Sequence, residues 1–344
     1  MQALTKRYEK LSPWLADHAG IADARVTQEL AGGNANVTCR LESANGPLVL
    51  RHPPADTVST NAGAGIAREY RFVCAIDGHA PVATPVAFSD DSTILGAPFA
   101  LYEFLDGVTI TEELPNGYES TAAAIDMLGL AMIDALAQVH AIDPVPGDLF
   151  DPDKARAFVP RQIERWRGER AKRSVRELTD LERLGDWLAA NAPEPEVVRI
   201  VHSDFHLDNL LVDRDSPRVK AILDWEMATV ADPLVDVGLA TALWSRDESE
   251  QLGFVFVQRV SNRAGVSSGK ELAERWAERT GLSLDSLAYY QVFALWRLAA
   301  IVEGAFVLHR QGKVDGPYER GLEFDVPALL AQASRIAAQR DARQ

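Results

Sequence analysis

The chain has 344 residues, 47% hydrophobic and 25% charged, which is globular composition rather than that of a disordered or fibrous chain. Its formal charge of −15 argues against a nucleic-acid partner, which needs a clustered basic surface. No uncharged apolar stretch approaches the ~18–20 residues of a membrane span, so no membrane role is expected. Only Cys39 and Cys74 could form disulfides, and both sit in apolar runs, so a cytoplasmic location is the expectation. The start, Met1 to Lys10, is charged and lacks the apolar middle of a signal peptide.

In chain order, residues 3–18 read as a helix with Leu4, Tyr8, Leu11 and Leu15 on one face. Three short strand-like runs follow, Arg25–Leu30, Asn36–Glu42 and Pro47–Arg51, separated by turns at Gly32-Gly33-Asn34 and Ala44-Asn45-Gly46-Pro47. A helix is predicted over Ile66–Ile76 and strands over Ala83–Ser89 and Phe99–Phe104. Helical patterns then dominate, at 120–140, 155–170, 174–191, 235–245, 249–264, 269–280, 285–310 and 326–341. A strand pair, Asn209–Val212 and Val219–Leu223, interrupts them. A β-rich first third joined to a helical remainder is an α+β arrangement of two lobes, connected near Phe104–Gly107.

Charge is unevenly spread. No lysine or arginine lies between Arg71 and Lys154, while fourteen acids fall from Asp77 to Asp153. That run reads either as a solvated acidic face or as a cleft that attracts a cationic small molecule. From Lys154 to Asp186 the balance reverses, with ten basic residues against six acidic.

The segment Ile200–Trp225 carries the chemistry. It reads I-V-H-S-D-F-H-L-D-N-L-L-V-D, a turn, then V-K-A-I-L-D-W-E. Phosphoryl transfer from a nucleotide needs one carboxylate to orient an attacking hydroxyl, and an amide oxygen and a second carboxylate to hold Mg2+. Asp204, Asn209 and Asp224 stand at positions suited to those roles. Magnesium favours hard oxygen ligands and keeps several waters, so two side chains suffice.

This segment resembles the catalytic loop and metal site of the aminoglycoside phosphotransferase and choline kinase-like family, whose pattern is H-G-D-x-x-x-x-N followed by I-D-W or I-D-F. Its H-x-D-x-x-x-D-N … L-D-W-E form is closest to a subgroup that includes kinase-like domains fused to some acyl-CoA dehydrogenases. Ala231–Gly238, A-D-P-L-V-D-V-G, also fits the family. The resemblance implies a bilobal protein-kinase-like fold, with residues 1–103 as a nucleotide-binding lobe and 104–344 as hinge and catalytic lobe. It implies ATP and Mg2+ as cofactors and a small-molecule hydroxyl as acceptor. Oligomeric state and acceptor identity are left open.

A kinase needs a cation at the end of its third strand. No lysine occurs between Lys10 and Lys154, so Arg51, ending Leu48-Val49-Leu50-Arg51, is the candidate. Strand alternation puts Val49 and Arg51 on one face, and Glu69 on the next helix is the partner proposed for Arg51. Gly32 and Gly33 stand where a phosphate-covering loop belongs, and Leu101–Gly107, with Glu103 and Leu105, resembles the interlobe hinge that meets adenine. His202 is assigned to holding the loop and His206 to packing, and the resemblance implies that Asp236 supports the loop backbone. Asp208 and Glu226 stay open between several roles.

Two rivals are weighed. Ser203-Asp204-Phe205-His206 and Gly147-Asp148-Leu149-Phe150-Asp151 resemble elements of two-metal phosphoesterases, but their order is reversed and no histidine follows a Gly-Asn pair. A non-catalytic nucleotide-binding pseudokinase should have lost the base or a metal ligand, and Asp204, Asn209 and Asp224 are all kept. A hydroxyacyl-thioester kinase of the same fold is the remaining alternative.

Overall fold

In the computed structural model the alternating runs of the first third become one antiparallel sheet. The structure describes residues 8–30, 36–54, 60–111, 113–119, 121–145, 147, 149–173, 175–244 and 258–343. The chain divides into two compact units, Met1–Gly107 with Lys220–Ala228, and Val108–Val219 with Thr229–Gln344.

The first unit opens with helix α1 (Leu11–Ala19), stopped by Gly20 in the left-handed region at φ 65°. Strands β1 (Arg25–Leu30), β2 (Val37–Glu42) and β3 (Leu48–His52) follow, then helix α2 (Thr60–Ile76), strand β4 (Pro85–Ser89), the short helix α3 (Ser92–Leu95) and strand β5 (Phe99–Glu103). The sheet order is β1-β2-β3-β5-β4, which makes β3 central. Along β3, Leu48, Leu50 and His52 are buried while Val49 and Arg51 are only half-buried, the alternation a pleated strand imposes. Leu50 packs with Leu11, Leu15, Cys39, Leu41, Phe99 and Leu101 in one apolar cluster. The returning segment 220–228 adds a 3-10 turn, Trp225–Met227, whose buried indole donates to the Ile222 carbonyl at 2.9 Å and which packs on α2.

The second unit holds helices α4 (Ala122–His140), α5 (Pro152–Arg156), α6 (Phe158–Arg173) and α7 (Thr179–Ala190), and strands β6 (Arg199–Val201), β7 (Leu210–Val212) and β9 (Thr229–Ala231). Strand β8 (Val219–Ile222) crosses from this unit into the first. Helices α8 (Leu234–Ala242), α9 (Gly269–Thr280), α10 (Leu287–Arg310) and α11 (Pro317–Asp341) complete it. Helix α10 is its axis, buried along most of its length and packed on α6, α7, α8 and α11. It meets α8 at Gly238, where a Cβ would stand 2.7 Å from the Tyr290 carbonyl carbon and oxygen, so only glycine lets the backbones close. Trp296 Nε1 donates to Leu181 O at 2.7 Å, and Tyr289 Oη to Leu188 O at 3.0 Å, fixing α10 against α7. Helices α4 and α10 reach a mean hydropathy of 1.6, enough for a bilayer span, but about half of each such window is buried inside the unit. Each also carries charges, Asp126 and Asp134 in α4, Arg297 and Glu303 in α10.

Several predicted boundaries move. The helix expected at 155–170 is two helices broken at Ala157, and the one expected at 174–191 begins only at Thr179. The last helix starts at Pro317 rather than at 326, with Pro327 inside it. Of the helix expected at 249–264, residues up to 257 lie outside the described set, and 258–264 form turns rather than helix. There the Gln258 amide donates to Leu243 O and Ser261 Oγ and its oxygen accepts from Ser261 N, so side-chain bonds replace the helical ladder.

The acids from Asp77 to Asp153 are also put to use within each unit. Asp91 caps α3 and Asp151 caps α5, Asp126 accepts from Ser267 N, and Asp134 pairs with Arg275 and Arg279.

Candidate active site

Each unit carries its own polar cluster. In the first unit, Arg51 projects from the sheet face opposite Leu50 and lies between two carboxylates. Its Nε is 3.3 Å from Glu69 Oε1 on α2, and its Nη2 donates to Asp224 Oδ1 at 3.0 Å. Burial works against the guanidinium charge, but Glu69 and Asp224 outweigh it, and the Arg51 pKa is raised above its ordinary value. Glu69 is only 3% exposed. Its burial outweighs the opposing pull of Arg51 and pushes the carboxyl up to about 7. Tyr102 on β5 is raised as well, first by burial and then by the Glu69 charge.

Asp224 follows β8 by two residues and sits in the left-handed region at φ 63°, which turns the chain into the Trp225–Met227 turn. Glu226 accepts from the buried Asn36 Nδ2 at 3.1 Å, so it ties the turn to the start of β2. Glu103 ends β5 exposed, with Thr84 Oγ1 donating to its Oε2 at 3.0 Å, and Leu105 is half-buried in the following coil. Gly32 and Gly33 lie outside the described residues.

In the second unit, β6 delivers His202, Ser203 and Asp204. Ser203 adopts φ 71°, and the turn is held by Asp236 in the first turn of α8, whose oxygens accept from His202 N at 2.7 Å and Ser203 N at 2.6 Å. Asp236 is fully buried and also receives His140 Nε2 at 3.3 Å. Trp276 Nε1, a donor only, points at His140 Nδ1 at 3.0 Å, so the histidine proton lies on Nε2 and donates to Asp236. His202 accepts the Asp204 amide on Nδ1 at 3.3 Å, the loop-holding role expected of it.

Beyond Asp204 the chain bends into a 3-10 turn, Leu207–Asn209. The Asn209 Nδ2 group donates to Asp204 O at 2.8 Å and to Asp204 Oδ2 at 3.3 Å. That commits the amide's donors and leaves Oδ1, a hard oxygen, as its acceptor end. His206 is not simple packing. Its Nδ1 donates to Asp208 Oδ2 at 2.9 Å and its Nε2 is 3.8 Å from Asp204 Oδ2. Burial disfavours the charged ring, but the two carboxylates outweigh it and lift His206 to about 10. Asp204 responds in reverse. Its partial burial is overcome by His206, with smaller help from His202 and Arg297, and it falls to about 2. Asp208 also accepts Gln258 N at 3.0 Å, so it anchors the loop rather than facing solvent.

Sequence reasoning missed His206 as a charge partner and missed Arg297 altogether. The D-x-H-x-D spacing of residues 204–208 was a legible signal for the first. Among the described residues no three acids, histidines or cysteines form a ready-made metal cage. Asn209 Oδ1 in the second unit and the Asp224 carboxylate in the first are each hard oxygens of the kind divalent magnesium prefers.

Known proteins resemble this chain over most of its length. The sequence model of the phosphotransferase enzyme family matches residues 26–272. Mouse acyl-CoA dehydrogenase family member 10 is 29% identical over 276 residues, 80% of this chain and 26% of the relative. The chain spans only about a quarter to two fifths of the length of such relatives. A crystal structure from Ralstonia eutropha JMP134, assigned as an aminoglycoside phosphotransferase, superposes with a TM-score of 0.77 at 24% identity, covering 96% of this chain and 98% of that one. Aminoglycoside phosphotransferase APH(4)-Ia, solved in a ternary complex with AMP-PNP and hygromycin B, superposes with a TM-score of 0.57 at 16% identity, covering 97% and 100%. The chain belongs to the phosphotransferase enzyme family.

Proposed function

We propose that the protein transfers the γ-phosphate of ATP, with Mg2+, to a hydroxyl of a small molecule. The observation that carries this reading is Asp204: an ionised carboxylate gripped by Asn209, on a loop whose backbone Asp236 pins by two hydrogen bonds. Asp204 accepts the acceptor hydroxyl's hydrogen bond and orients its oxygen toward the γ-phosphorus. The new P–O bond forms as the bond to the β,γ-bridging oxygen breaks, ADP leaves, and the proton passes to Asp204. A carboxyl at about 2 is a weak base, so the proton moves late and orientation is its main contribution, as suits a loose transition state. Arg51, aimed by Glu69, is assigned to the phosphates, where a guanidinium makes bidentate contact. Asn209 and Asp224 are assigned to the metal, which when bound neutralises phosphate charge. Gly32, Gly33, Glu103 and Leu105 are proposed for the nucleotide, within residues 1–103 and the hinge that follows.

A second acceptor class, hydroxyacyl thioesters, stands beside aminoglycosides because relatives of this chain include acyl-CoA dehydrogenase family members. Both belong in one assay, ADP release from MgATP with each candidate acceptor. Asp204→Asn should lower kcat by about 10²–10⁴-fold while Mg-nucleotide binding by calorimetry stays within twofold. Full activity in that variant would remove the base assignment. Nucleotide binding with no acceptor-dependent turnover in the wild type would favour the pseudokinase.

A further inference from the structure

Ser203 stands in a conformation that residues with a Cβ avoid, φ 71°, and it is almost wholly buried, with a hydroxyl that has no hydrogen-bond partner. Nothing about its own side chain favours this turn, yet the turn decides where Asp204 points. The backbone on both sides must therefore be held from outside. Before Ser203, its amide donates to Asp236 Oδ1 at 2.6 Å. After it, the Asp204 amide donates to His202 Nδ1 at 3.3 Å, and the Ser203 carbonyl accepts from Arg297 Nη1 at 2.8 Å.

Arg297 comes from the middle of α10, 94 residues downstream in sequence. It is 6% exposed, and its guanidinium carbon lies 5.8 Å from the Phe158 ring centroid. A buried cation is retained only where it is compensated. Here the compensation includes Asp204 and Asp236, whose charges both favour the charged guanidinium against its burial. The helix is placed to deliver it. Gly238, two residues beyond Asp236, lets α10 close on α8 at Tyr290, and Arg297 lies seven residues, about two turns, further along the same face. The helix that bears Asp236 and the helix that bears Arg297 thus meet closely at Gly238 and Tyr290, with the Ser203 turn held between an anion and a cation.

We propose that Arg297 is a positioning residue for Asp204: its hydrogen bond to the Ser203 carbonyl, opposite the Asp236 bond to the Ser203 amide, holds the left-handed turn that aims the Asp204 carboxylate. This rests on the reading of Asp204 as the group that orients the acceptor. It gives Arg297 no contact with either substrate, so its loss should alter turnover and leave nucleotide affinity alone.

The test uses the full chain with Arg297→Met, Arg297→Lys and, as control, Asp204→Asn. Two quantities are read: ADP release from MgATP with water or the best available hydroxyl acceptor, and amide exchange by mass spectrometry over residues 200–206. Arg297→Met should lower kcat by about 10–100-fold, the scale of a misplaced catalytic group, with KM for ATP within twofold. Exchange over 200–206 should speed up by about tenfold or more. Arg297→Lys, which keeps a donor and a charge, should recover a large part of both. Should Arg297→Met fail to fold, the lysine variant must still show slower turnover and faster loop exchange than the wild type. Wild-type kcat and exchange in Arg297→Met would overturn the proposal, as would a lysine variant no better than methionine. Failure of the base assignment looks different: Asp204→Asn then stays active, whatever Arg297 does to loop exchange. If no acceptor supports turnover, the exchange arm decides by itself.

Discussion

His206 brings a positive charge between two carboxylates of the loop, Asp204 and Asp208, and that has a thermodynamic signature. Its proton is held up to about 10 in the folded chain, against about 6.5 when unfolded. A raised pKa contributes stability that is fully present below 6.5 and is lost as pH rises through 10. The melting temperature of the wild type should therefore decline across that window, while His206→Asn should lose that component of the slope; thermal melts from pH 6 to 10 would show it. The low value at Asp204 makes a complementary prediction, that kcat shows no acid limb from this group between pH 8 and 5. Arg51 can be tested by size and shape. Arg51→Ala should raise KM for nucleotide by about 10–100-fold, the worth of a charge-assisted hydrogen bond, and Arg51→Lys should fall between. Arg51 and Glu69 were legible because strand alternation and the lack of any lysine between Lys10 and Lys154 left few choices. Arg297 was not, because its only mark in the sequence is a charge inside the apolar run Ala294-Leu295-Trp296-Arg297-Leu298-Ala299.

At the scale of elements, α11 shows how a helix keeps a proline. Pro327 has no N–H for the Glu323 carbonyl four residues back. Arg176 supplies it, donating from Nη1 to Glu323 O at 2.9 Å and from Nη2 to Leu322 O at 3.1 Å. The same guanidinium pairs with the buried Glu303 of α10 at 2.5 Å and lies 3.9 Å from the Phe306 ring centroid. Arg176→Met would strand both a carbonyl and most of a buried carboxylate's compensation, so unfolding stability should drop by about 3 kcal/mol in denaturant titrations. Gly238→Ala should cost about 1–3 kcal/mol, since its methyl would strike the Tyr290 backbone rather than a movable side chain. These dependencies explain which boundaries could be read. Helices α4, α9 and α10 have clear periodicity and fall close to expectation. The start of α11 was hidden because a proline reads as a helix edge unless a distant arginine satisfies the carbonyl it abandons.

Over the whole molecule, only eleven residues separate Asp224 from Asp236, and most are in defined structure: the Trp225–Met227 turn, β9 and the start of α8. Thr229, the one hydroxyl there, is paired in register with Val201 of β6. A segment so short and so fully paired has no slack for an activation loop. Protein made in a bacterial host should thus be competent as purified, and mass spectrometry should find no phosphate on Thr229; loss of turnover on phosphatase treatment would contradict this. The α+β division was readable from the shift of hydrophobic period along the chain, but the sequence offered no sign that residues 220–228 rejoin the first unit. That return has a genetic consequence. The N-terminal stretch is not a self-contained cassette: cut after Gly107, it loses Asp224 from Arg51 and Trp225 from α2. Shuffling it onto another catalytic half by a single crossover would transplant an unfinished module, so any exchange between such proteins needs three crossovers, the last two bracketing a segment of only nine residues. A fragment ending at Gly107 should melt well below the full chain, and co-expressing the remainder should restore it only if the 220–228 segment is included.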